Sequence, residues 1–432
     1  MVRILLHNVT VVPMHREEII APGAVLVEDG TITFVGEARA LPDGLTADEI
    51  ITGEDLVVTP GLVNAHTHAA MTLFRGYADD LPLMQWLNEK IWPAEAKLKP
   101  EDVYWGTLLC CVEMIRSGTT TFADMYFHMD QAARAVVDAG LRASLSRGLI
   151  GVARGADRAL GESRAFVKEW HLAAGGRITT MLGPHAPYTC PPDYLKKVMR
   201  LADELGVGIH IHVAETKGEI AEIREKYGCS PVALLHRTGL FNYPVLAAHC
   251  VCLDEKDIEL LAAGKVGVAH CPESNMKLAS GVAPVARMLA SKITVGIGTD
   301  GAASNNNLDM VEETRTAALL QKVHTEDPTV IPAFQALAMA TRDGARVLGL
   351  EQQVGTLEVG KRADILVWER HAPHLCPAHN VFADLVYAAR SCDIRTVLVD
   401  GRIVMRDGQV LTVDEEKVMT EAKRRARRLT AA

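Results

Sequence analysis

Eight short apolar runs, each ending in polar or ionisable residues and followed by a helical stretch, constrain this chain more than any other feature. They are Leu62–His68, Thr120–Tyr126, Arg142–Leu149, Ile178–His185, Gly208–Glu215, Val245–Cys250, Val266–Pro272 and Ile293–Asp300. Strands covered by helices on both faces read as continuous apolar runs rather than as alternating ones. Between the runs lie helix candidates such as Asp193–Leu205, bounded by a proline pair and by Gly206, which are start and stop signals. Eight such units imply a (β/α)8, TIM-like barrel.

The two ends of the chain read differently. Ile4–Val12 and Ala24–Val35 are rich in β-branched residues, and the second is broken by Asp29-Gly30, a hairpin signal. Ala363–Trp368 and Thr396–Val410 repeat the style, with Asp400-Gly401 and Asp407-Gly408. The expectation is one small β-sandwich domain built from both ends, residues 1–57 plus 358–432, around a barrel at 58–357. A charged helical segment, Asp414–Leu429, closes the chain as a surface helix.

In such a barrel, chemistry sits at the C-terminal ends of the strands. Those ends carry His66 and His68, Asp124, Arg147, His185, His212 and Glu215, His249, His270 and Asp300, while the strand bodies are apolar. Alone, His-x-His is weak evidence. In a strand, however, residues i and i+2 share a face about 6.5–7 Å apart, near enough for two imidazoles to share an ion. His212 on the fifth strand and Asp300 on the eighth supply the remaining ligands. His210 shares a face with His212, but lies a layer deeper, where a satisfied core histidine is expected. One divalent metal per subunit follows, with zinc first and ferrous iron or manganese suited to similar shells.

Composition narrows the partners. The net charge is −9 without basic blocks, which gives no electrostatic reason to expect nucleic acid or membrane partners. Nine scattered cysteines without a C-x-x-C pair argue against a disulfide framework. The opening MVRILLHNVTVV reads as a strand rather than a signal peptide, and no apolar run reaches the roughly 18 residues of a membrane span. A reducing cytoplasm is expected. Barrels of this size often associate, so a homo-oligomer is an open expectation.

The segments PGLVNAHTHAAMTLFRG (60–76), GPHAPYTC (183–190), IHVAET (211–216), AAHCV (247–251) and GTDGAASNNNLDM (298–310) resemble the amidohydrolase superfamily. DMYFH (124–128), WPAEAKL (92–98) and SRGL (146–149) look like its branch of S-adenosylhomocysteine and 5′-methylthioadenosine deaminases. The resemblance covers nearly the whole chain, GTLEVGKRADILV (355–367) included. It implies metal ligands at His66, His68, His212 and Asp300. It also implies contacts to a small nucleoside substrate from Glu95, Arg147, His185 and Glu215, with His249 beside the reacting centre. A further arginine is expected in the loop after the third strand; Arg154 and Arg158 both lie there, and we take Arg158. Some branches bridge two metals with a fourth-strand lysine. Here that strand ends Gly183-Pro184-His185, so a single-metal site is expected.

Deaminating adenine requires a hydroxide at neutral pH, a proton for ring N1 and a proton for the departing ammonia. A bound metal lowers the pKa of its water toward about 7. Glu215 is placed to protonate the ring nitrogen, Asp300 to carry the water's proton to the amine, and His249 to hydrogen-bond the tetrahedral oxyanion. Asp300 thus counts as ligand, catalytic group and substrate neighbour at once. Plainer readings stand beside these. Glu215 could only open a helix, Asp300 make an Asx turn, His185 pin its loop, Arg147 form a structural ion pair, Glu95 be solvated and His249 be a satisfied core residue. His270, Ser274 and Asn275 are read as supports behind the ligands. The rival function is a deaminase or chlorohydrolase acting on a free heterocycle (guanine, cytosine or triazine) on the same scaffold. A non-catalytic barrel would have lost ligands, and none is missing.

Overall fold

The computed structural model describes residues 2–42 and 44–431. Eight parallel strands form in chain order: Leu62–Thr67, Thr119–Tyr126, Arg142–Leu149, Ile178–Pro184, Ile209–Val213, Val245–His249, Gly267–His270 and Val295–Ile297. Each pairs with the next. The last meets the first through hydrogen bonds just beyond the ladder. The Asp300 N–H donates to the His66 carbonyl at 3.0 Å, and Asn64 bonds both the amide and the hydroxyl of Thr299, at 3.1 and 2.7 Å. The closed (β/α)8 barrel expected from the eight runs is therefore present. Six strands end before the runs read from sequence do, at Thr67, Pro184, Val213, His249, His270 and Ile297. Beyond them Ala214 and Asp300 adopt positive φ (53° and 57°), as do His249 and Cys250 (73° and 49°). Such conformations cost energy for residues with a Cβ and collect at functional sites.

Both chain ends build a second sheet. Its order is Gln409–Val410, Arg402–Arg406, Ile394–Val399, Ile365–Glu369, Leu56–Pro60, Arg3–Val11, Ile20–Glu28 and Thr31–Glu37, with Glu49–Thr52 beside Arg3–Val11. The N- and C-terminal parts join where Leu56–Pro60 runs antiparallel to Ile365–Glu369. Asp29-Gly30, Asp400-Gly401 and Asp407-Gly408 turn hairpins with φ positive at both residues (47° and 81°, 55° and 74°, 51° and 76°), as a tight two-residue turn requires. Side chains alternate faces along a strand, and the sheet uses both. Val58, Ile365, Val367 and Leu398 enter a core of its own with Ile4, Leu6 and Val25. Their neighbours Val57, Leu366, Trp368, Val397 and Val399 pack into the barrel's core.

One ion pair fastens the sheet to the barrel. Arg142, which opens the third barrel strand, is 1 % exposed. Its Nε and Nη2 donate to the two carboxylate oxygens of Asp364 at 3.0 and 3.2 Å. The Asp400 N–H donates to the same carboxylate at 2.8 Å. The C-terminal helix, Glu415–Thr430, lies against the barrel helix Pro100–Arg116 rather than on the sheet. It buries Val418, Ala422 and Leu429, and pairs Arg425 and Arg428 with the buried Asp102. No helix among the described residues is long and apolar enough to cross a membrane.

Removing Asp364 takes from the buried Arg142 its two-bond partner and leaves it the more distant Asp400, at 3.4 Å. Asp364→Ala is therefore expected to lower unfolding free energy by about 3–5 kcal/mol in chemical denaturation. A loss below about 1 kcal/mol would show that this pair does not hold the two sheets together.

Candidate active site

Three histidines at the C-terminal end of the barrel are each held through Nδ1. The Nδ1–H of His68 donates to the Met125 carbonyl at 2.6 Å, and that of His212 to the His185 carbonyl at 2.7 Å. His66 Nδ1 lies 2.8 Å from His210 Nε2. In His68 and His212 a carbonyl takes the Nδ1–H, so the lone pair is left on Nε2. Burial keeps His66, His210 and His212 neutral: His66 is lowered to about 3, and the other two fall well below the usual range. His210 is thus a satisfied interior histidine, and what satisfies it is His66.

Asp300 completes the group. Its Oδ2 accepts the hydroxyls of Ser274 and Ser304, both at 2.7 Å, which leaves Oδ1 without a donor. Burial alone would raise this carboxyl, but the imidazoles of His66, His68 and His249 hold it well below its usual range. Oδ1 lies 3.5 Å from His66 Nε2 and 3.3 Å from His68 Nε2; the Nε2 atoms of His68 and His212 are 3.3 Å apart. A tetrahedral ion with bonds of about 2.0–2.1 Å would separate its ligands by about 3.3–3.4 Å. His66 Nε2 and Asp300 Oδ1 are also buried with no hydrogen-bond partner, a costly state unless a cation takes their lone pairs. The donor set fits a divalent metal of the zinc type.

Glu215 and His249 stand beside this group. His249 Nε2 is 4.0 Å from a Glu215 carboxylate oxygen, and its Nδ1 lies 3.0 Å from Asn275 Oδ1. Burial raises the Glu215 carboxyl, against the opposing pull of His249. Burial disfavours charge on His249, yet the carboxylates of Glu215 and Asp300 carry its pKa above the ordinary value. Glu215 does not open the following helix, Lys217–Tyr227. Thr216 caps that helix by accepting the Glu219 N–H at 3.2 Å. The Glu219 carboxylate reaches back to the amides of Ala214 and Glu215, at 3.0 and 2.8 Å. The T-x-x-E pattern at 216–219 is a capping-box signature. It marks Glu219 in the sequence as the residue that fixes the backbone under Glu215.

These groups open on a cavity at the C-terminal end of the barrel. His68, His185, His212, Glu215, His249 and Asp300 line one end, and Glu95 and Tyr126 line it as well. Glu95 is not a solvated surface glutamate. Its helix supplies an apolar wall of Leu83, Trp86, Leu87, Ile91 and Trp92. That helix widens to a π turn over Leu87–Ile91. Pro93 has no N–H for the Glu89 carbonyl, and its ring crowds that carbonyl. The Tyr126 hydroxyl donates to Glu95 Oε1 at 2.6 Å. His185 does pin its loop, through Thr189 at 3.0 Å, and it also lines the cavity.

Arg147 and Arg158 lie apart from this end. Both pair with Glu162 and line a neighbouring cavity that also holds Arg154. Phe127, Gly148 and Ile150 border both spaces. Of the expected supports, Ser274 bonds Asp300 and Asn275 bonds His249. His270 is buried and makes no side-chain hydrogen bond among the described residues. Ser304, Tyr126 and Glu219 were not singled out from the sequence.

Known proteins align with this geometry. Residues 57–404 match the model of the amidohydrolase family. The chain is 62 % identical over 427 residues, 99 % of each protein, to a 5-methylthioadenosine/S-adenosylhomocysteine deaminase of Desulforudis audaxviator. It is 54 % identical over 411 residues, 95 % of this chain and 94 % of the other, to a 5′-deoxyadenosine deaminase of Methanosarcina acetivorans. Among solved structures, an adenosine deaminase from Xanthomonas campestris with bound zinc superposes with a TM-score of 0.96 at 37 % identity, covering 99 % of each chain. With its barrel, its histidine–aspartate cluster and this family match, the chain belongs to the amidohydrolase family.

Proposed function

We propose that this protein hydrolyses the 6-amino group of adenosyl nucleosides, S-adenosylhomocysteine and 5′-methylthioadenosine among them, to the inosyl product and ammonia. The observation that carries the reading is one cavity with the histidine–aspartate cluster and Glu215 at one end and a lone carboxylate, Glu95, in its apolar wall. Full-length similarity to deaminases of adenosyl compounds supports it. A free guanine, cytosine or triazine offers no ribose for Glu95.

His66, His68, His212 and Asp300 are the proposed holders of one divalent metal, zinc by its donor set. When bound, that ion acidifies a water so that hydroxide is present near neutral pH. Glu215, whose carboxyl is raised by burial, is suited to hold a proton and give it to ring N1 as C6 becomes tetrahedral. His249 hydrogen-bonds the oxygen that develops on C6. Asp300 Oδ1 accepts one proton from the attacking water and passes it to the amino nitrogen; as the C6–N bond breaks and ammonia leaves, the C6 hydroxyl gives its remaining proton to Glu215, which is thereby restored. Glu95 accepts the ribose hydroxyls, and His185 contacts the purine. Arg147 and Arg158, next to the cavity, are the proposed partners for the carboxylate of a homocysteinyl group, which a guanidinium binds through two parallel hydrogen bonds. Engaging it requires them to exchange Glu162 for the substrate. All nine cysteines are free thiols, which favours the reducing cytoplasm.

Ammonia release should occur with S-adenosylhomocysteine, 5′-methylthioadenosine and 5′-deoxyadenosine. Turnover confined to guanine, cytosine or triazines would overturn the reading. Glu215→Gln is expected to keep its metal and lose at least about 100-fold in kcat. Near-normal turnover in that variant would remove Glu215 from the reaction.

A further inference from the structure

Glu95 is a carboxylate in an apolar wall, and one hydrogen bond holds it. Tyr126, at the end of the second barrel strand and 4 % exposed, donates to Oε1 at 2.6 Å. No other side-chain hydrogen bond or ion pair reaches Glu95 among the described residues, and no lysine or arginine lines the cavity. The two residues come from different elements. Glu95 ends the helix that follows the π turn, whereas Tyr126 belongs to the rigid barrel and packs against Phe127 and His68. Their hydrogen bond therefore ties a segment outside the barrel to the frame that carries His68.

We infer that Tyr126 is a positioning residue for ribose recognition, holding one oxygen of Glu95 so that the other is presented to the 2′ and 3′ hydroxyls of the substrate. This rests on the proposed role of Glu95. The geometry suits it: a carboxylate has two oxygens and about four lone-pair directions. Spending one of them on a fixed phenol sets the carboxylate plane and leaves the rest for a diol. The phenol also favours the charged form. Burial raises Glu95 to about 7, and the hydrogen bond from Tyr126 opposes that rise. Burial beside Glu95 keeps Tyr126 itself protonated, hence a donor, across the working range. Preference for nucleosides over free bases would then depend on a tyrosine that need not touch the substrate.

The test compares 5′-methylthioadenosine with its 2′,3′-dideoxy analogue, which lacks only the two ribose hydroxyls, in wild type, Tyr126→Phe, Glu95→Gln and the double variant. Tyr126→Phe should raise KM for 5′-methylthioadenosine about tenfold, with kcat within about twofold. The analogue's constants should move less than about twofold, and so should those of Glu95→Gln when Tyr126→Phe is added to it. An equal loss on both substrates, an undiminished effect in the Glu95→Gln background, or no effect of Tyr126→Phe at all would overturn the inference. If wild type released no ammonia from 5′-methylthioadenosine, the proposed function would fall, and this inference with it.

Discussion

The site depends on the fixing of imidazole tautomers by groups behind them. A histidine binds a cation through the nitrogen that lacks a proton, and its partner at the other nitrogen decides which that is. Here two backbone carbonyls and one further histidine engage Nδ1 of His68, His212 and His66. Those carbonyls belong to Met125 and His185, at the ends of neighbouring strands. The strand register of the barrel is therefore also the register of the site. A slip of one residue would turn His66 and His68 to the other face together.

Asp300 shows how closely fold and chemistry are joined. Its amide closes the barrel against the His66 carbonyl, one carboxylate oxygen is held by two serines, and the other faces the histidines. Its positive φ is what allows backbone and side chain to serve both ends at once. At the other side of the cavity the logic is looser. Glu95 comes from a helix outside the barrel, and Arg147 and Arg158 come from a loop-side cavity where Glu162 occupies them. The histidine–aspartate cluster is thus built at the ends of barrel strands, whereas Glu95 and Arg158 come from helices and only Arg147 from a strand.

Much of this was legible in the sequence because it is written in local patterns. Apolar runs fixed on both faces mark the eight strands, Asp-Gly pairs mark the hairpins, and polar residues at the ends of runs mark the functional face. His212 could be separated from His210 by depth along the strand. What escaped was long-range. Nothing local says that Tyr126 will reach Glu95, 31 positions away, or that Ser274 will meet Asp300, 26 positions on. Nor does charge patterning show that the C-terminal helix lies on the barrel, since its anchor is Asp102, more than 300 residues earlier. Glu219 is different: its bonds to the amides of Ala214 and Glu215 span only five and four positions, and T-x-x-E at 216–219 is a local pattern that a closer reading would have found.

The central claim is that four side chains, His66, His68, His212 and Asp300, hold one divalent cation between them. Elemental analysis of the purified protein, made alongside His212→Ala and Asp300→Ala variants that remain folded, tests it directly. The account predicts about one zinc-type ion per subunit in the wild type and a loss of most of it in each variant. Two ions per subunit, or a metal content unchanged by either substitution, would contradict it.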